Sequence, residues 1–404
     1  RMRRGRRPRR SRDRRFAPRG LLARRPSTSR ARFRSTTDAS RVPFGGSLFV
    51  TNLNGTLAEG DSFKIFDATT YSGSFSSMTL PAVAANLMWY TGTLNTSGTI
   101  TVVSTNFVLP QTLIWIGDGF SSVWDLVTLN WSTTNMQPRA FANGDSVIFS
   151  AGSPTMPPVN LITNVAPATM VVSSVYPYAL TGAGALNGTM NLIKTNTGKL
   201  TIANTGVNTF SGGTTIAAGS LQLGDGISIN GNLPGNIVNN ATLIFANPNA
   251  QSWSSVLAGS GTLVKQAAGT LTVSSTNSSY AGNVLIGAGA ITLTTGAALS
   301  TGTLTLSNGG TFNFPPSSPA YFYPGNITIP ANQTGTIFSP GLGNGVSGNV
   351  ISGNGSSVLN LSSGVSFSGT ATTQFDSFTG TINIPVGATL RFSANSSGNT
   401  YGSL

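Results

Sequence analysis

The chain has 404 residues, 49 of them Gly and none of them Cys or His, and charged residues make up only 8%. A soluble domain usually carries about 25%. The missing cysteines exclude a disulfide framework and thiol chemistry, and the missing histidines remove the commonest general base and metal ligand. The net charge of +13 sits at one end: Arg1 to Arg41 holds 17 Arg against Asp13 and Asp38, whereas beyond Arg41 six cations face eight acids and the body is close to neutral.

In chain order, residues 1–43 lack apolar periodicity and read as a disordered basic tail. Three readings of it compete. An Arg run neutralises phosphates, so it would serve as a nucleic-acid arm. Arg14, Arg15 and Phe16 would suit a twin-arginine export signal, but Leu21-Leu22 is the longest aliphatic run where about 7–15 apolar residues are needed. The third is a stretch extraneous to the body, because the chain begins at Arg1 and stops mid-pattern at Leu404. Residues 44–108 read as β-rich, and residues 109–160 gather Trp115, Trp124 and Trp131 ahead of Gly144-Asp145-Ser146-Val147-Ile148-Phe149. From 161 to 404, runs such as Thr270-Leu271-Thr272-Val273 alternate apolar and small polar residues between Gly and Asn, which predicts many short strands. No 18 consecutive apolar residues occur, so no membrane-spanning helix is expected.

The strands repeat. Lys194–Ile202 (KTNTGKLTI) returns 71 residues later as Lys265–Val273 (KQAAGTLTV), aligning Lys194 with Lys265, Gly198 with Gly269 and Leu200 with Leu271. Phe210 and Gly212 answer to Tyr280 and Gly282, and Gly219 and Leu221 to Gly289 and Ile291, at a spacing of 70. Asn239–Phe245 and Asn308–Phe314 match at 69, and a weaker copy begins at Phe378. Self-similarity at this length predicts a solenoid, each unit making about three coils of about 20–25 residues, with strands about 4.8 Å apart. Leu200, Ile202, Leu221 and Leu223 are expected to point inward and Thr201 and Gln222 outward. Gly198, Gly212, Gly219, Gly269 and Gly282 are expected at corners that need positive φ. Turn and core account for all of these repeat positions.

The string NTFSGGTTIAAGSLQLG, ending at Gly224, resembles the autotransporter-associated β-strand repeat, also called the passenger-associated transport repeat. Trp115, Gly117, Trp124, Asn130-Trp131 and Gly144-Asp145 resemble the opening that precedes such repeats, and Gly60–Phe66 through Tyr71–Phe75 to Trp89 the segment that closes them. The resemblance implies an all-β chain, a right-handed parallel β-helix over 161–404, and an internal piece of a large bacterial protein that is extracellular or displayed at a Gram-negative-type cell surface. It implies a structural or adhesive role, with extracellular glycans or like chains as partners.

Catalytic chemistry is sparse. In the repeats only Asp225 and Asp376 carry carboxyls, too far apart in sequence for a glycosidase pair, which needs about 5–10 Å. Asp118, between Gly117 and Gly119, and Asp145, after Gly144, read as turn residues. Without His, a Ser triad has no usual base, and no cofactor or metal is expected. Two alternatives remain: a capsid-like protein with an Arg-rich RNA arm and a β-sandwich shell, and a polysaccharide-active β-helix enzyme.

Overall fold

The computed structural model describes residues 41–404 apart from 54, 106–108, 118–121, 151, 153–156, 276–278, 295–296, 316–321, 341–344, 348–349, 364, 369–374, 389, 394–399 and 402–404. The basic tail lies outside the described residues except for its last three, Arg41-Val42-Pro43, which belong to the strand Arg41–Phe44. The described chain is almost all β, with one short helix, Leu94–Ser97, and forms two compact units that divide between Leu109 and Pro110.

In the N-terminal unit, Arg41–Phe44 pairs parallel with Thr70–Gly73, and Ser47–Phe49 with Ser77–Thr79. Ser62–Lys64 and Leu87–Tyr90 flank Thr99–Ser104 in an antiparallel sheet. Phe44, Leu48, Phe63, Ile65, Ile100 and Val102 form its core, and Phe44 packs near Phe75 with ring centroids 4.8 Å apart.

From Pro110 onward the chain winds as a parallel β-solenoid, which the repeats predict for 161–404 and which takes in the Trp-containing segment before them as well. Its first sheet has nine strands and ends at Leu257–Ala258; the second has twelve, from Val123–Trp124 to Ser377–Phe378. The third has seven, from Gln251–Trp253 to Thr381–Asn383. A fourth sheet, from Phe322–Tyr323 to Thr400–Tyr401, takes the first sheet's place in the chain order of the later coils. Antiparallel pairing, which a β-sandwich shell would need throughout, is confined among the described residues of this unit to its two ends. At one end Trp131–Thr133 lies antiparallel between Thr112–Trp115 and Pro138–Arg139, and at the other Thr400–Tyr401 pairs with Leu390–Ser393. The first hairpin covers an open parallel edge, the place where unpaired N–H and C=O groups would recruit another chain.

The period-two alternation turns one set of side chains into the core. Stacked coils then make columns of like residues: Leu200, Leu221, Leu243, Leu263, Val284, Leu304, Ile327 and Ile351 are successive partners in the second sheet, and all are buried. Burying each such side chain contributes about 1.5–3 kcal/mol. One core cluster runs from Leu113 to Phe378, so Trp115, Trp124 and Trp131 share it with the repeats. Asparagine bridges the corners, where the ladders break. The side-chain oxygens of Asn143, Asn164, Asn236, Asn283 and Asn326 accept the backbone N–H of Ala166, Ala185, Val256, Thr303 and Val350, one coil on, at 2.8–3.2 Å. These bonds satisfy backbone donors that no strand pairs.

The structure corrects three expectations. Of the five glycines placed at positive φ, only Gly219 adopts it (φ 69°). Gly198, Gly212, Gly269 and Gly282 are needed because a Cβ there would collide with the carbonyl oxygens of Tyr176, Met190, Asn249 and Gly261 in the preceding coil. Gln222 is buried: Lys199 Nζ donates to its Oε1 at 3.2 Å and its Nε2 donates to Gly224 O at 2.8 Å, folding the amide against the sheet. Finally, the repeat is not a whole number of coils. Coil partners lie 20 residues apart at Thr242↔Thr262 and 25 at Ser352↔Ser377. Lys194 sits in the first sheet beside Ile216, whereas Lys265 sits in the second between Phe245 and Ile286. The second copy is therefore turned by one face of the solenoid.

Candidate functional site

Lys194 and Lys265, the two aligned lysines, are fully buried in apolar columns, Lys194 between Val172 and Ile216 and Lys265 between Phe245 and Ile286. Lys265 is the last residue of its strand and Lys194 the last but one of its own, and each side chain curls over the corner that follows. Lys194 Nζ donates to the carbonyls of Thr195 (2.6 Å), Asn196 (2.7 Å) and Ala218 (3.2 Å). Lys265 Nζ donates to those of Gln266 (3.1 Å) and Ala267 (2.7 Å). Both corners turn through a non-glycine residue at positive φ, Asn196 (59°) and Ala267 (71°). The ammonium gathers the carbonyls that this conformation aims inward. Burial lowers both lysines from 10.5 to about 8.

Among the other repeat positions Leu200, Phe210, Leu221, Leu271 and Tyr280 are buried, whereas Gly219 and Gly289 are half-buried and Gly212 is exposed. Leu200, Leu221 and Leu271 fill the core. Phe210 and Tyr280 occupy equivalent places one face apart, ahead of Thr214–Ile216 in the first sheet and Asn283–Ile286 in the second. Tyr280 is anchored by its hydroxyl, which donates to Gly261 O at 2.8 Å. Gly289 has φ 65° ahead of Ala290–Leu293, as Gly219 does ahead of Ser220–Leu223.

The carboxylates are separated, and Asp145, Asp125 and Asp225 are engaged. Asp145 is fully buried and accepts from Gln111 N (2.7 Å) and Ala142 N (2.8 Å), with Arg139 Nη2 at 3.4 Å. Asp125 accepts from Val127 N and Thr128 N. Asp225 closes a loop by accepting from Ile229 N, Ile227 N and Ser228 N, which hold its carboxyl down to about 2. A group that acidic is a poor proton donor near neutrality. Asp225 follows Ser220–Leu223 and Asp376 precedes Ser377–Phe378, strands seven rungs apart in the second sheet. At about 4.8 Å per rung that is about 34 Å, well beyond the reach of a glycosidase pair. Asp118 lies outside the described residues. Among the described residues no group of three or more Asp or Glu could hold a metal ion.

What the solenoid presents is surface. The outward positions of the third sheet are Thr270, Ala290, Thr311, Thr336, Asn360 and Asn383 in one column. Ser252, Thr272, Thr292, Asn313, Phe338 and Ser362 form the other. No strand of this sheet carries a charged residue. Reading the repeats for their aligned positions passed over this face, although the alternation that fills the core also writes it.

Comparison with known proteins gives two findings. The family model of the passenger-associated transport repeat matches residues 192–223 and 263–293, the two stretches that begin around Lys194 and Lys265. The adhesin BmaC autotransporter of Brucella suis biovar 1 is 46% identical over 55 residues, which is 14% of this chain and 2% of that protein. No solved structure matches the chain. Among the described residues no helix is long and apolar enough to cross a membrane.

Proposed function

We propose that this chain, an autotransporter passenger repeat protein by the two transport repeats it carries, is a surface-displayed solenoid that works by adhesion and performs no catalysis. The observation that carries this reading is the continuous parallel stack from Pro110 onward, whose outer faces bear hydroxyls and amides and whose charged residues are few. The partial match to an autotransporter adhesin points the same way. A stack of similar coils repeats any weak contact along its length, so affinity arises by addition rather than from one strong site. Export to a bacterial outer surface fits the absence of cysteine and histidine chemistry, since nothing in the body depends on a reducing compartment.

The test is to display the chain on a bacterium stripped of its own adhesins and measure retention on matrix proteins, plant polysaccharides and like-displaying cells, with release of reducing ends assayed in parallel. Retention without polysaccharide cleavage is expected. Turnover that disappears in Asp225→Asn or Asp376→Asn, or failure to be retained on any surface, would overturn the adhesive reading.

A further inference from the structure

We propose that the outer face of the third sheet binds a neutral polysaccharide, with Phe338 as its stacking platform. This rests on the adhesive reading above and gives it a ligand class and a place.

Phe338 is the exception in its column. Its partners on either side are Asn313 and Ser362, and the column otherwise holds only Ser and Thr. Alternation turns the side chains of Ile337 and Ser339 inward, where both are buried, and leaves Phe338 36% exposed. Core packing therefore does not explain an aromatic residue there. Around it the polar groups are held in place: Asn313 Nδ2 donates to Thr292 Oγ1 at 2.8 Å, and Asn383 Nδ2 donates to Asn360 Oδ1 at 2.9 Å. In the neighbouring column the face forms a shallow, open depression lined by Thr336, Asn360, Ser362, Ile382, Asn383 and Pro385.

The chemistry selects among partners. An aromatic face carries negative charge density and packs against polarised C–H groups, such as the apolar side of a sugar ring. Side-chain amides and hydroxyls both donate and accept, matching ring hydroxyls. A nucleic acid or other polyanion would call for Lys or Arg, which no strand of this sheet carries. A protein partner would favour a core richer in Tyr, Trp, Met and Arg. The rungs recur about every 4.8 Å, so a linear glycan laid along the solenoid meets similar groups repeatedly.

The experiment is a depletion assay of the purified full chain on insoluble cellulose and on insoluble β-1,3-glucan. The native chain is expected to bind at least one of them, and raising the salt concentration should leave binding unchanged, because no charges are paired. Phe338→Ala should weaken it about tenfold, Phe338→Trp should restore it, and Asn360→Ala with Asn383→Ala should weaken it further. Thr201→Ala, on the outer face of the second sheet, should bind as the native chain does. Equal melting transitions separate lost binding from lost folding. Native binding undiminished in Phe338→Ala, or binding that falls steeply with salt, would overturn the proposal. Should the native chain bind neither polysaccharide while displaying cells still adhere elsewhere, this inference falls and the adhesive reading stands.

Discussion

Lys194 and Lys265 each place a cation inside a column of apolar side chains, an arrangement that costs several kcal/mol unless the charge is engaged. The corner carbonyls supply the engagement. Replacing Lys194 with Met keeps the volume and orphans the oxygens of Thr195, Asn196 and Ala218, so a loss of about 1–3 kcal/mol is expected in urea unfolding, with a smaller loss for Lys265→Met, which frees two carbonyls. The pH dependence has a definite sign. The folded ammonium groups release their protons near pH 8 and the unfolded ones near 10.5, so the unfolded chain binds more protons between these values. Stability should therefore be flat in this respect below pH 8 and rise from about pH 8 to 10. Above pH 10 the buried Tyr178 and Tyr280, raised by desolvation to about 12, push the other way. Urea midpoints at pH 8 and pH 10 check this, and the rise should vanish in the double Met variant. Asp145 is the most deeply buried carboxylate of the described residues. Asp145→Ala strands the N–H groups of Gln111 and Ala142 and the guanidinium of Arg139, for an expected loss of about 2–4 kcal/mol. Hydrogen exchange should accelerate around the N-terminal coils of the solenoid and leave the coils near Ile351 and Leu361 protected.

At the scale of the element, the repeat is best understood as a corner: a strand, a lysine, a tight turn and a second strand. In the first copy it joins the first sheet to the second, and in the second copy it joins the second to the third. The strands, their inward leucines and isoleucines and the need for glycine at the corners were legible in the sequence, because alternation and glycine are local signals. The rotation was not, because coil length is set by turns whose insertions leave no trace in the aligned residues: 20 residues separate Thr242 from Thr262 and 25 separate Ser352 from Ser377. Gln222 was misread for a related reason, since its burial depends on Lys199 and Gly224 rather than on its place in the alternation. The glycines show the same limit, as sequence marks the need for Gly but not whether φ or a neighbouring carbonyl imposes it. Gly282→Ala, which drives a Cβ into Gly261 O and the Tyr280 ring, should lower the melting temperature by several degrees. Gly355→Ala, whose nearest neighbour would be Thr379 O at 4.0 Å, should leave it within experimental scatter.

For the whole molecule, each coil beyond Pro110 is held by the coils above and below it, so the stack gains stability from neighbour contacts and presents the same faces rung after rung. Adhesion by addition of weak contacts, and a glycan face on the third sheet, both require that one uninterrupted parallel stack exists in solution. Register is the most direct handle on it, and the chain has no native cysteine to interfere. Thr272 and Thr292 are direct partners in the third sheet, and Thr272 and Asn313 stand two rungs apart. Adjacent rungs, about 4.8 Å apart, lie within the Cα separation that a disulfide spans, whereas two rungs, about 9.6 Å, do not. On oxidation, the Thr272→Cys/Thr292→Cys chain should close an intramolecular bridge in high yield and the Thr272→Cys/Asn313→Cys chain should stay reduced. Failure of the first pair to close, or equally ready closure of the second, would contradict the parallel stack on which the functional reading rests.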